Sequence, residues 1–153
     1  MDERVTLARE TAVAALRAGG AAHRNCAQSI LLFTLASQGE DTSDLSIARY
    51  LGGGVAMSGA LCGTLTGAAL SLAIRDRLRH GPEWPDQEAS ITRAQLQRLM
   101  ADFTERFGST TCRELTTCDF TTPEGYRRFR ADCVYEKCVT YLEWVCNRLA
   151  ELP

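Results

Sequence analysis

A chain of 153 residues is the size of one domain and is long enough to bury a core, so residues 1–153 are expected to form a single unit. Its 17 basic and 19 acidic residues leave a net charge of −2, which offers no electrostatic footprint to nucleic acid or to an anionic membrane surface. Seven cysteines exceed what packing needs, and the charged start MDERVTLARE lacks the apolar core of a signal peptide. Together these predict a cytoplasmic protein whose thiols serve metal binding or redox exchange rather than structural disulfides.

In chain order, Val5, Ala8, Ala12, Ala15 and Leu16 recur with charges between them, and Gly19-Gly20 follows, which predicts an amphipathic helix over 3–18. Asn25, with Gln28 three residues on, forms a capping-box pattern that opens a second helix. Cys26 then falls in its first turn, with Ile30 and Phe33 further along the same stripe and Gly39 at the end. Ser43 is the expected cap of a short helix reaching Tyr50, and Gly52 to Gly54 read as a loop.

Residues 51–74 carry no charge. The run is as long as a membrane span, but its six glycines and its serines and threonines leave too little apolar side chain for one. It is expected to be a buried central helix, with Gly59, Gly63 and Gly67 forming a side-chain-free strip and Cys62 sharing a stripe with Leu65, Ala69 and Leu72. After a Pro-containing turn, a long helix is expected from a Thr92 cap, with Leu96, Leu99, Met100, Phe103 and Phe107 inward and Gly108 closing it. Ser109 is expected to restart a turn that holds Cys112 at its third helical position, with Cys118 in the loop beyond. Thr122-Pro123-Glu124 signals a further helix start. Helical pattern then runs to Leu152, with a break near Asp132 and the stripe Cys138, Leu142, Val145, Leu149. No strand or repeat is evident. The predicted fold class is an all-α bundle of four to five main helices around the Gly-rich central one.

Spacing limits how the thiols can cooperate. Cys133 and Cys138 lie about 140° apart around a helix, and there is no CxxC, so any site must be assembled across helices. Cys26, Cys62, Cys112 and Cys138 are the candidates, because each is placed to face inward at a helix or its start. The positive end of the helix dipole is expected to favour thiolates at Cys26 and Cys112, with Arg24 and Arg113 nearby. His23 and Lys137 are read as solvated surface residues.

Asn25-Cys26-Ala27-Gln28, the glycine run into Leu61-Cys62-Gly63-Thr64, Phe107-Gly108-Ser109 leading to Cys112-Arg113-Glu114-Leu115, and Lys137-Cys138 together resemble the redox-active family named for the pattern C, GCAxxG, C, C. The likeness covers nearly the whole chain. It implies a kinship with the domain ahead of the haem-binding part of split-Soret cytochromes, hence an anaerobic redox setting and an iron–sulfur cluster. The chain departs from the pattern at Val55, which stands where the pattern has cysteine. Cys118 matches a position shared by some relatives, whereas Cys133 and Cys146 have no match and are read as packing or surface thiols. Without a CxxCH, covalent haem is excluded.

Three readings follow. In the first, Cys26, Cys62, Cys112 and Cys138 bind an iron–sulfur cluster or another metal for electron transfer, with Gly63 and Cys118 in the surroundings of the cofactor. In the second, the same thiols exchange disulfides with a redox partner protein, Cys26 attacking and Cys62 or Cys112 resolving. In the third, the cysteines are inert and the glycine strip serves a homodimer. With only His23 and His80 present and no nucleophile beside them, hydrolase chemistry has little support.

Overall fold

The computed structural model describes residues 2–153 and is all-α. Seven α-helices follow one another among them: α1 (Glu3–Arg17), α2 (Cys26–Gln38), α3 (Gly63–His80), α4 (Asp86–Phe107), α5 (Cys112–Thr116), α6 (Pro123–Ala131) and α7 (Tyr135–Glu151). Short 3-10 turns at Gly20–Ala22 and Ser46–Leu51 link the early helices. No helix among the described residues is long and apolar enough to cross a membrane.

The expected caps of α2 and α6 form. Asn25 accepts from Gln28 N–H while the Gln28 side chain accepts from Asn25 N–H, and Gly39 ends α2 in the left-handed conformation. Thr122 caps α6 ahead of Pro123, and the break near Asp132 separates α6 from α7. Other boundaries differ from expectation. Ser43 is not a cap: its N–H and hydroxyl donate to Asp41, so it is spent in a local turn. Helix α4 begins at Asp86 behind Pro85 rather than at Thr92, because Pro85 cannot continue a preceding helix but can open the next one.

The largest correction concerns the charge-free run. Helix α3 starts only at Gly63, with Cys62 as its N-cap residue, so Cys62 does not share a helical stripe and Gly59 lies in the preceding loop. Five consecutive residues, Gly53, Gly54, Val55, Ala56 and Met57, have φ between 52° and 76°, which makes a left-handed turn that no right-handed helix can pass through. The strip survives as Gly63 and Gly67. A Cβ on Gly67 would stand 2.9 Å from Ala27 Cα, and one on Gly63 would stand 2.9 Å from Cys26 Cβ. The side-chain-free face is therefore occupied within the chain, by α2.

Helices α1, α2, α3 and α7 pack on one another around Leu16, Ile30, Leu65, Leu142 and Val145, each at most 1% exposed. Helix α4 closes the outside by edge-to-face stacking of Phe103 and Phe107 on Tyr141 and Trp144 of α7.

Candidate functional site

Three backbone devices bring the cysteines of the pattern together. The capping box sets Cys26 at the first position of α2, against the bare backbone of Gly63. A short antiparallel bridge pairs Leu61 with Thr111: Cys62 N–H donates to Thr110 carbonyl at 2.8 Å, and Cys112 N–H to Ala60 carbonyl at 2.6 Å. Cys62 and Cys112 are thus fixed side by side, although fifty residues of sequence and two helices lie between them. Helix α7 then presents Cys138 to the Cys26 thiol across the same cavity wall, near enough to raise its pKa.

A cavity of about 50 Å³ opens at this point, lined by Cys26, Cys112 and Cys138 with Leu16, Phe129 and Met57 among its apolar walls. Cys62 stands behind this wall, its thiol 3.2 Å from the Thr64 hydroxyl. Cys118, 1% exposed, follows α5 and takes a backbone hydrogen bond to the Thr116 hydroxyl. Of the four leading candidates Cys26 alone is partly exposed; Cys62, Cys112 and Cys138 are buried. Cys133 is exposed, and Cys146 lies fully buried in the core about two turns beyond Cys138 along α7; neither lines the cavity.

Electrostatics corrects the expectation of thiolates. The neighbouring Cys138 thiol and burial hold the Cys26 thiol well above its ordinary pKa. Burial, reinforced by the neighbouring Cys26 sulfur, pushes Cys62 up to about 11 and Cys112 to about 12. Desolvation and sulfur crowding outweigh the helix dipole, and α5, five residues long, has little dipole to offer. Arg113, expected to support Cys112, is turned away to Asp119 at 3.2 Å, and Arg24 to the carbonyls of Ala21 and His23.

Two neighbours escaped the sequence reading. Tyr141 donates to the Leu115 carbonyl, and its own pKa is raised by burial and by Cys138, Cys62 and Cys112, so its phenol stands among the three sulfurs. His23 is not a solvated surface residue. It is a half-buried member of the cavity wall, its Nδ1 3.1 Å from the Leu16 carbonyl and 3.2 Å from that of Ala18, and burial and Arg130 lower its pKa. No periodicity marks Tyr141 or His23 as special, since each reaches the site only through helix packing.

Among the described residues no three His, Cys, Asp or Glu side chains are grouped so as to hold an ion, and Cys26, Cys112 and Cys138 share a cavity wall without forming such a group.

Searches of curated proteins and of solved structures gave no match. A family described as "Putative redox-active protein (C_GCAxxG_C_C)" does match, over residues 24–152, a span that holds every cysteine of the cluster. With Cys26, Cys62, Cys112 and Cys138 gathered at one end of the bundle and the match running over most of its length, the chain belongs to the C_GCAxxG_C_C redox-active family.

Proposed function

We propose that this protein is a thiol–disulfide electron carrier in which Cys26 and Cys138 form the working couple. The observation that carries the reading is that Cys26 of α2 and Cys138 of α7 meet at one cavity wall, close enough for Cys138 to raise the Cys26 pKa. Cys26, being the accessible member, attacks one sulfur of a partner protein's disulfide; a mixed disulfide forms and the partner's other sulfur leaves as thiolate. Cys138 then attacks the Cys26 sulfur, forming the Cys26–Cys138 disulfide and releasing the partner as a dithiol. Two electrons pass to the partner, and the two thiol protons end on its sulfurs. Cys138 thus takes the resolving role that the sequence suggested for Cys62 or Cys112.

The second reading is an iron–sulfur cluster or another metal on Cys26, Cys62, Cys112 and Cys138, with Gly63 and Cys118 close by. Its support is the mutual proximity of Cys26, Cys62 and Cys112, each of which feels the charge of another. It requires the sulfurs to draw together on loading. A homodimer built on the glycine strip has no support, because α2 fills that strip.

Anaerobic purification followed by elemental analysis, mild diamide oxidation and peptide mapping decides between the readings. The expected result is two thiols lost reversibly, a Cys26–Cys138 linkage, and no such loss in Cys138→Ser. Stoichiometric iron, with visible absorption that disappears in Cys62→Ser, replaces the proposal with the cluster. Serine at all four positions with redox activity in cells unchanged leaves the cysteines as inert packing.

A further inference from the structure

At some remove from the sulfurs, helices α1, α2, α3 and α7 enclose a second cavity of about 50 Å³. Its lining includes Thr34 of α2 and Ser71 and Arg75 of α3. These three are 7%, 1% and 7% exposed. The Thr34 hydroxyl, the Ser71 hydroxyl and Arg75 Nε all lack a hydrogen-bond partner. Such groups ordinarily find partners when buried, and one left alone costs the fold its desolvation. Three around one hollow point to something that fills it.

The chemistry of the three narrows the occupant. Arg75 Nε can only donate, and both hydroxyls are free to do so. Arg75 also lies in no ion pair within 4.0 Å among the described residues; its Nη2 donates to the neutral Gln95 amide at 3.1 Å. Burial and the charge of Arg79 disfavour its cationic form, and Asp76 offsets them in part. Asp76 is buried with its own Oδ2 unpartnered, but it is not part of the cavity wall. A water molecule answers the donors; an anion also answers the two cations Arg75 and Arg79 that face the single carboxylate of Asp76, and the apolar walls at Phe33, Leu72 and Leu149 strengthen its attraction to the guanidinium. At about 50 Å³ the hollow is small, and a single halide fits within it.

We propose that Thr34, Ser71 and Arg75 form an internal site for a single small monovalent anion of the chloride class. Bound there, the ion bridges α2 to α3 at the end of their contact away from Cys26 and Cys62. It stabilises the bundle by preferential binding to the folded chain.

Thermal unfolding in sodium chloride, against sodium gluconate at equal ionic strength, provides the test, with bromide anomalous diffraction from crystals grown in sodium bromide. The expected result is a midpoint roughly 3–10 °C higher in chloride at saturating concentration. A single bromide peak between Arg75 Nε and the Ser71 hydroxyl should accompany it. Arg75→Met should abolish the chloride increment; if that variant does not fold, Ser71→Ala and Thr34→Val should each reduce it. Equal midpoints in the two salts with no bromide peak, the outcome of an ordered water alone, overturn the proposal.

Discussion

Cys62 and Cys112, held at about 11 and 12, are protonated thiols at neutral pH, and this has consequences for both stability and rate. An acid whose pKa is higher folded than unfolded adds stability that is complete below its unfolded value, near 8.5, and that is lost as pH climbs toward the folded value. Each thiol therefore withdraws about 1.4 kcal/mol per pH unit once the unfolded chain ionises and the native one does not. Urea unfolding at pH 8 and pH 10 should show at least about 2 kcal/mol lost across the interval, and Cys62→Ala with Cys112→Ala should flatten the slope. A native protein equally stable at both values contradicts the buried, protonated assignment. The raised pKa of Cys26, the attacking thiol, makes disulfide formation slow at neutral pH, and its rate should rise about tenfold per unit between pH 7 and 8.5 as the thiolate becomes available.

Helix α3 depends on two features placed just before and within its first turns. Gly67 lets the backbones of α2 and α3 touch, and an added methyl would meet the Ala27 carbonyl oxygen at 2.9 Å and Ile30 Cβ at 3.0 Å. Alanine is the better helix former by just under 1 kcal/mol, yet the overlap is with backbone and cannot relax without separating the helices. Gly67→Ala is expected to lower stability by about 1–3 kcal/mol and to speed alkylation of Cys26, read by chemical denaturation and by labelling with iodoacetamide. The left-handed turn carries the opposite prediction. Val55 is β-branched, sits at φ 65° and is 40% exposed, so its side chain strains the backbone and buries little in return. Val55→Gly should raise stability by about 0.5–1 kcal/mol, the left-handed penalty less the entropy of glycine. A destabilised variant would mean that the valine side chain packs against something in solution that the turn does not display here.

Across the whole molecule, the proposed couple links α2 to α7 and closes a loop of roughly 110 residues. Cross-linking a loop of that size is worth up to about 4–5 kcal/mol when the native geometry needs little adjustment. Cys26 and Cys138 already meet at one cavity wall, which is the arrangement such a link requires. The oxidised protein should therefore resist urea more than the reduced one by several kcal/mol, with Cys138→Ser indifferent to oxidant. An oxidised form no more stable than the reduced form places the disulfide elsewhere or shows it to be strained.

Sequence by itself determined what short-range physics controls. The caps at Asn25 and Thr122, the stop at Gly39, the apolar stripe of α7 and the all-α class all follow from local hydrogen bonding and a 3.6-residue period, and the family could be read from four motifs. Where α3 begins was not legible, because a run of small uncharged residues suits a helix and a left-handed turn alike; the bridge between Leu61 and Thr111 decides between them. Only the tertiary structure set Cys62 beside Cys112, brought Cys138 to the cavity wall that Cys26 lines, drew His23 and Tyr141 into the site and buried Arg75 with its Nε unpartnered. The thiols' protonation belongs to the same group. A helix-terminus argument weighs one neighbouring dipole, whereas a pKa sums burial and every nearby charge, and those are properties of packing that no stretch of sequence contains.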